Sequence, residues 1–359
     1  MPYTHFRYIA YEVPTATFRL DGTGGVVCDY DPGDMYQAVG RLPVPATVPD
    51  DARKRLQRLA GVVNLAANRL AGIGDNPNTL KIFMAPEFYF RPLTTMGGNY
   101  YSGTYPVQDV GEVLQALAGM FVHADFRDWL FVPGTILWNT RADVTRPPLY
   151  FNTLVHVQGG QQNALNVIEK NHPSGIDGMP VVGIPARDVH YALFHNSWRN
   201  RKKRVALVSG TPHGFDVCLD HQVGPAFRIL KGVLHDWQAN EGNLQNVSLH
   251  LLCAAGMNIQ PQSVAARANG YILRNDGIAN PGARSELCQV QRYEAPDPLG
   301  VGLLPATPID MNGSAVLAPA VAAPATAAIP AGALQVPSKG AAFASFAQRV
   351  VFYPALPMP

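Results

Sequence analysis

Short, strongly apolar runs alternate along the chain with stretches whose apolar residues recur every three or four positions. The second kind of stretch is typical of amphipathic helices, and Pro49 and Asp50 supply a suitable start signal before the first of them. The pattern predicts three helices, with apolar faces formed by Leu56, Leu59, Val63, Ala66 and Leu70, by Val110, Leu114, Leu117 and Phe121, and by Phe227, Leu230, Leu234 and Trp237.

The apolar runs between these helices have the length and composition of buried strands. The segment QSVAARANGYIL, residues 262–273, is helix-like instead. Strands joined by long crossovers, with hairpin-like pairs in the middle of the chain, predict an α/β fold of two facing mixed sheets between helices. The predicted strands are His5–Val13, Leu80–Phe90, Trp129–Asn139, Leu149–Gln158, Ala164–His172, 204–212, 214–221 and 247–255.

The last sixty or so residues differ from the rest. From about Gly302 to Gly340 the sequence is rich in Ala and Pro and almost uncharged, which predicts an extended, weakly structured arm. The final run FAQRVVFYPALP has a strand pattern again, so we expect the arm to return to the body. We therefore divide the chain into a body, residues 1–300, and an arm, residues 301–359.

Bulk composition excludes several classes of protein. A hydrophobic content of 47% with 15% charged residues is typical of a globular, core-rich protein. The formal net charge of +2 is too small to indicate nucleic-acid binding, which needs clustered basic side chains. The one basic run, RNRKKR at residues 199–204, is interpreted as a solvated loop.

Cysteine spacing and hydropathy narrow the picture further. The cysteines Cys28, Cys218, Cys253 and Cys288 form no CxxC pair, which argues against structural zinc and a thioredoxin-like motif. The first residues lack the pattern of a signal peptide, and no apolar run approaches the ~20 residues of a membrane helix. We expect a cytoplasmic protein with free thiols that uses no metal and no membrane.

Three polar residues stand at the ends of buried runs: Glu87 after KIFMAP, Lys170 after NVIE, and Cys218 after HGFDV. A thiol becomes a strong nucleophile when a neighbour removes its proton, and a buried carboxylate can take that proton and return it to a leaving amine. An ammonium beside both can stabilise an oxyanion, a contribution of about 3–4 kcal/mol. Together they suffice for acyl transfer without histidine or metal.

These residues and their surroundings resemble the nitrilase superfamily of carbon–nitrogen hydrolases over residues 5–280. The matching segments, in the family's order, are FMAPEFYF, VPGTILWN, LYFNTLVHV, NVIEKNH and GFDVCLDH. The resemblance implies a four-layer α-β-β-α sandwich, a homodimer or larger homo-oligomer, and no cofactor. It also implies a thioester on Cys218, proton transfer by Glu87, and an oxyanion held by Lys170 and the backbone N–H of Leu219.

Further site residues are expected around these three. Asn152 lies in LYFNTLVHV, the segment that resembles the family's Tyr-Asn-Thr strand, and is a candidate for oxyanion or substrate contact. Tyr89, beside Glu87, is a candidate for an aromatic pocket wall, with core packing as the alternative. His221, three residues after Cys218, could line the pocket. Many family members also carry a second Glu after the Lys; this chain has none there, and Asp177 is its natural substitute.

Several functions stay open. Cys218-Leu219-Asp220 is closer to the amidase branches than the Cys-Trp-Glu of nitrile-hydrolysing ones, which favours a small amide substrate over a nitrile. Acyl transfer to an amine could use the same three residues. A protease in which His213 or His221 activates Cys218 is the competing mechanism. A catalytically silent binding scaffold is the alternative of another class.

Overall fold

The computed structural model describes residues 3–13, 15, 47–72, 78–96, 99–140, 150–162, 164–172, 201–222, 228–241, 246–277, 285–300, 302–321, 323–329 and 348–359. Within these residues two mixed β-sheets pack face to face, and helices cover their outer faces. The four-layer α-β-β-α arrangement expected from the sequence is therefore confirmed.

The first sheet has ten described strands, and its centre is parallel. Ala10 of the first strand pairs with Met84 of the second, which in turn pairs with Val132. These central strands are apolar on both faces because both faces are covered. The strands are β1 (His5–Glu12), β2 (Thr79–Met84), β5 (Tyr105–Pro106), β6 (Trp129–Val132), β7 (Thr135–Asn139), β8 (Tyr150–Gln158), β9 (Leu165–Glu169), β17 (Ala325–Ile329), β18 (Gln348–Phe352) and β19 (Leu356–Pro357). A separate hairpin joins β3 (Leu93–Met96) and β4 (Asn99–Ser102).

The second sheet has seven strands in the described ranges. Its centre is again parallel, since Val217 pairs with Cys253 and Cys253 with Asn275. Antiparallel strands lie on both sides of this parallel centre. The strands are β10 (Val205–Val208), β11 (Thr211–Val217), β12 (Val247–Ala254), β13 (Ala266–Asp276), β14 (Ser285–Pro296), β15 (Leu303–Pro305) and β16 (Ser314–Pro319).

Three apolar layers hold the sheets and helices together. The layer between the sheets combines residues such as Tyr8 and Ile82 with Phe215 and Leu251 of the opposite sheet. Helices α1 (Asp50–Ala71) and α2 (Val107–Met120) pack on the outer face of the first sheet. Helix α3 (Ile229–Glu241) packs on the second sheet. The three helices form where the sequence predicted them, because each has one apolar face to bury.

The helix expected at residues 262–273 is wrong. A short 3₁₀ turn, Pro261–Ser263, is followed by the strand β13. The alanines suit a helix locally, but Tyr271, Ile272 and Leu273 are inserted between β12 and β14, which satisfy the backbone hydrogen bonds on both sides. Tertiary pairing thus overrides local helix propensity.

The Ala/Pro-rich segment contributes strands to both sheets. In the second sheet β16 pairs with β14, and in the first sheet β17 pairs with β18. At the end of the chain, β18 pairs with β1 from Ile9–Phe352 to Glu12–Arg349. The division into a body and an arm at residue 300 stays a prediction. No helix of the described residues is long and apolar enough to cross a membrane.

Candidate active site

Three strand ends carry the residues that the sequence singled out. Glu87 lies three residues after β2, while Lys170 and Cys218 directly follow β9 and β11. Glu87 and Lys170 are fully buried, and Cys218 is 4% exposed. Two of these strands belong to the first sheet and one to the second, so the site lies between the two facing sheets.

Glu87 and Lys170 form a buried ion pair. The Lys170 Nζ lies 2.9 Å from Glu87 Oε1, and the Asn152 side-chain amide donates to the same oxygen at 2.8 Å. The Lys170 backbone N–H also donates to the Asn152 carbonyl at 2.9 Å. Removing two charges from water costs several kcal/mol per ion, which close pairing and added hydrogen bonds must offset. Asn152 therefore orients Glu87 and links it to the strand end that carries Lys170.

The backbone around Glu87 is held by three other segments. The Glu87 N–H donates to the Ala254 carbonyl at 3.3 Å, and the Thr15 hydroxyl donates to the Glu87 carbonyl. The next residue, Phe88, has a φ of 62° and donates its N–H to the Thr135 hydroxyl at 2.8 Å. Side chains other than Gly rarely adopt this left-handed region, so these contacts keep the turn in a strained conformation.

Cys218 also adopts a left-handed conformation. Its φ is 42°, and it begins the 3₁₀ turn Cys218–His221 at the end of β11. The Sγ atom lies 3.8 Å from the Ala255 carbonyl oxygen, on the chain that leaves the neighbouring strand β12. A nucleophile on a sharp turn after a strand is a recurring arrangement in hydrolases, because the turn presents the reactive atom at the sheet edge.

Shared contacts bring the thiol, the carboxylate and the ammonium to one place. Ala255, whose carbonyl contacts Cys218, packs against Phe88. The Phe88 ring lies 5.7 Å from Lys170 Nζ and 4.7 Å from the buried Arg91 guanidinium. Burial raises the pKa of the neighbouring Cys253 thiol well above its usual range, with smaller contributions from the charges of Glu87 and Cys218. The three groups thus converge around Phe88 and the chain after β12.

His221 does not have a ring nitrogen directed at Cys218. Its Nδ1 lies 3.1 Å from Asp216 Oδ2, and its Nε2 accepts the Gln260 N–H at 3.2 Å. His213 lies within β11, where its Nδ1 is 2.8 Å from the Thr211 carbonyl oxygen. Burial lowers the pKa of His213 to about 4. The histidines of the competing mechanism are therefore engaged in holding the fold.

The remaining expected site residues lie in different environments. Tyr89 faces α1, where its hydroxyl donates to the Arg55 carbonyl at 3.0 Å, and it packs in the helix-side core. The left-handed turn at Phe88 sends it to that side. Leu219 directly follows Cys218 and is partly buried. Asp177 lies outside the described residues.

Among the described residues, Asp216, His221 and His250 have metal-ligand chemistry, with one atom of each within 4.8 Å of the others. Both histidines face Asp216 Oδ2 at 3.1 Å. The backbone N–H groups of Gln260 and Ala265 donate to the outer ring nitrogens, so the inner nitrogens carry the protons. A metal needs the opposite arrangement, with a lone pair inside and a protonated nitrogen outside.

The three residues are instead a hydrogen-bonded network. Burial of Asp216 disfavours its charged form, but hydrogen bonds from His221 and His250 outweigh it and lower the pKa to about 2. Sequence reasoning gave no role to Asp216 or His250. It placed Arg204 in a solvated basic loop, which is wrong for this residue, because Arg204 is 1% exposed and forms an ion pair with Asp220. The only signal was Asp220 in Cys218-Leu219-Asp220, which was interpreted as a mark of substrate class.

No protein-family model and no curated protein sequence matches this chain. It is similar to the solved structure of an amidase from Nesterenkonia sp., with 12% identity and a TM-score of 0.36 over 89% of this chain and 92% of that chain. A mutant of that amidase, described as showing covalent addition of the acetamide moiety of fluoroacetamide at the active site cysteine, is 10% identical with a TM-score of 0.38 over 98% of this chain and 91% of that chain.

Another mutant of the amidase, in complex with butyramide, is 11% identical, with a TM-score of 0.38 over 98% of this chain and 92% of that chain. One of the mutant structures is described as belonging to the nitrilase superfamily. TM-scores below 0.5 are too low to carry a functional argument.

Proposed function

We propose that this protein is a hydrolase that cleaves a non-peptide carbon–nitrogen bond through a thioester on Cys218, with a small amide as the favoured substrate. The observation that carries the proposal is the buried pair of Glu87 and Lys170, 2.9 Å apart, beside a thiol on a left-handed turn. A carboxylate, an ammonium and a thiol at one place supply a base, an oxyanion donor and a nucleophile.

In the first half-reaction the Cys218 sulfur attacks the amide carbon while its proton passes to Glu87. The carbonyl oxygen becomes an oxyanion, which Lys170 Nζ and the backbone N–H of Leu219 stabilise. The intermediate then collapses, the carbon–nitrogen bond breaks, and Glu87 returns the proton to the leaving amine. A thioester on Cys218 and a free amine result.

In the second half-reaction water takes the place of the amine. Glu87 accepts a proton from the attacking water, and the new oxyanion is held by the same two donors. Collapse breaks the carbon–sulfur bond, releases a carboxylic acid, and restores the Cys218 thiol with the proton from Glu87. Acid–base transfer by a positioned carboxylate accelerates such steps by about 10²–10⁴-fold.

The cost of burying charge supports an enzyme over a silent scaffold. Glu87 and Lys170 are each 0% exposed, and an apolar pair of similar volume would cost the fold less. A protein that used this region only for packing or binding would gain nothing from retaining both charges beside a thiol. The Asp at position 220 agrees with the form that the resemblance associates with amidases over nitrile hydrolases.

The proposal is tested by following ammonia release from a panel of small primary amides and nitriles with wild-type protein and Cys218→Ala. We expect release by the wild type and none above background by the variant, whose unfolding temperature should stay close to that of the wild type because little volume is removed. Amide turnover retained by Cys218→Ala contradicts the mechanism. Absence of turnover by the wild type on every compound favours the silent scaffold.

A further inference from the structure

The turn that follows the candidate nucleophile is bonded to the backbone beside Lys170. Asp220, two residues after Cys218, is fully buried. Its carboxylate accepts the Asn171 N–H at 3.0 Å and the His172 N–H at 2.8 Å. The two residues immediately after Lys170 are therefore held by a side chain from the nucleophile's own turn.

Arg204 completes the connection on the other side of Lys170. One guanidinium nitrogen donates to Asp220 at 2.6 Å, to the Glu169 carbonyl at 2.7 Å and to the Asn171 side chain at 3.1 Å. A second guanidinium nitrogen donates to the Phe215 carbonyl, in β11, at 3.4 Å. Arg204 is 1% exposed, so this side chain lies wholly inside the protein between the two strand ends.

The contacts bracket Lys170 in the sequence. Glu169 before it and Asn171 after it are both bonded to Arg204, and Asn171 is bonded to Asp220 as well. We call Asp220 and Arg204 the clasp. A lysine side chain is long and flexible, so its ammonium keeps a fixed position only if the backbone that carries it is fixed.

The other end of the clasp is fixed independently. His221, next to Asp220 in the turn, is hydrogen-bonded to Asp216 at 3.1 Å, and Asp216 also binds His250 of β12 at 3.1 Å. This network ties the turn to two strands of the second sheet. The clasp then holds the end of β9, in the first sheet, in a fixed position relative to this turn.

We propose that Asp220 and Arg204 are positioning residues that keep the Lys170 ammonium aligned with the Cys218 thiol across the two sheets. The inference rests on the proposed function, in which Lys170 acts on groups bonded to Cys218. The clasp acts through Lys170 and does not itself contact the substrate. It gives Asp220 a physical role in addition to its agreement with the amidase-like form of the sequence.

The test measures how fast iodoacetamide alkylates Cys218 as a function of pH, a readout that needs no substrate. The variants are Arg204→Lys, which keeps the charge but cannot reach all the acceptors, and Asp220→Asn. Both should move the Cys218 profile to higher pH by about one unit, the effect of an ammonium withdrawing by about 2 Å at an effective dielectric constant of about 20. The charges that act on the neighbouring Cys253 thiol, those of Glu87, Lys170 and Asp276, are the same in all variants. The Asp216, His221 and His250 network beside the Cys218 turn is also unchanged.

The direction of the shift separates positioning from simple electrostatics. Loss of the Asp220 charge alone would favour the thiolate and move the profile to lower pH, and Arg204→Lys would leave it unchanged. Either result overturns the clasp. If both variants fail to fold, Asn171→Ala provides the test, because it removes only the 3.1 Å hydrogen bond between Arg204 and the Asn171 side chain. It should move the Cys218 profile to higher pH by a smaller amount. An unchanged profile in Asn171→Ala also overturns the clasp.

Glu12→Gln is the matched control. Glu12 is a buried carboxylate that accepts the Ser285 N–H at 3.0 Å and the Arg349 guanidinium at 2.6 Å, but it makes no contact with the clasp in the described hydrogen bonds. Its substitution should lower the unfolding temperature and leave the Cys218 profile in place. A wild type that hydrolyses no amide, together with clasp variants that still shift the profile, would reject the proposed function and keep the clasp.

Discussion

At the scale of single residues, one oxygen of the Glu87 carboxylate holds the proposed base in place. Lys170 and Asn152 both donate to Oε1 of Glu87, at 2.9 and 2.8 Å. Those donors hold the carboxylate in one orientation, and the strained turns at Phe88 and Cys218 hold the backbones on either side of the site. The proposed base and nucleophile are thus fixed before a substrate arrives, which is how a buried site limits reorganisation.

Glu87→Gln removes the proposed base while keeping the shape of the side chain. We expect kcat to fall by about 10²–10⁴-fold, because the thiol and the leaving amine lose their proton carrier. Glu169→Gln is the control, because it changes the carboxylate that precedes Lys170 in the sequence. The Glu169 side chain accepts a hydrogen bond from the Thr153 hydroxyl at 2.6 Å. Steady-state ammonia release measures both. A change of only a few-fold in Glu87→Gln would favour a different base.

At the scale of elements, the turn between β6 and β7 supports the Glu87 backbone. Gly134 in this turn has a φ of 89°, and a Cβ there would lie 2.4 Å from the Pro86 carbonyl oxygen and 2.7 Å from the Tyr89 Cβ. Pro86 and Tyr89 stand on either side of the Glu87–Phe88 turn. The two turns therefore pack directly on one another, and only glycine fits between them.

Gly134→Ala should displace the Glu87 turn and so lower both the stability and the activity. Gly210→Ala is the control for backbone strain, since Gly210 has a φ of 83° and no atom within 4 Å of the added Cβ. The control should cost about 1 kcal/mol of unfolding free energy and leave kcat unchanged. Urea unfolding and ammonia release distinguish the two. Equal effects of both substitutions would show that the contact with Pro86 does not matter.

At the scale of the whole molecule, the layer between the sheets includes buried histidines. His156 of β8 stacks on Phe215 of β11, with ring centroids 4.5 Å apart. Burial, with a contribution from nearby His213, lowers the pKa of His156 to about 3. The unfolded chain therefore binds protons at these two histidines as pH falls below about 6.5, while the folded protein does not. The contribution of these two neutral histidines to the unfolding free energy is fully present above that pH and is lost as the pH falls.

His156→Leu should reduce the acid sensitivity of the fold. Between pH 7 and 5 the variant should lose less unfolding free energy than the wild type, by up to about 1.4 kcal/mol per pH unit below pH 6.5. Comparison with the variant is needed because burial also raises the pKa of Glu169 to about 7. That shift stabilises the folded protein as the pH falls in this range, which is opposite to the effect of His156. Urea unfolding at both pH values measures the difference. His235→Gln, at an exposed position of α3, is the control and should lose as much unfolding free energy between pH 7 and 5 as the wild type. The same loss in His156→Leu would contradict the proposed role of His156.

Local hydrophobic patterns predicted much of the fold, because strands such as β1, β2 and β12 are apolar runs whose burial does not depend on distant details. The pattern failed at β13, where pairing with two neighbouring strands outweighed alanine-rich helix propensity. The expected homo-oligomer stays a prediction.

The candidate site was predictable only in part. Glu87, Lys170 and Cys218 stand at strand ends, a position that sequence order indicates. The direction of Tyr89 depends on the backbone φ of Phe88, and the contacts of Arg204 and Asp220 depend on how two sheets meet. The local pattern of apolar and polar residues determines neither the Phe88 torsion nor the packing of the two sheets.

The thioester on Cys218 is the central claim, and intact-mass spectrometry of acid-quenched mixtures with a hydrolysed amide tests it most directly. During turnover a fraction of the wild-type protein should gain the mass of the acyl group, located on Cys218 by peptide mapping, and Cys218→Ala should gain none. Turnover with the acyl group on another residue, or an equal adduct in Cys218→Ala, would contradict the account.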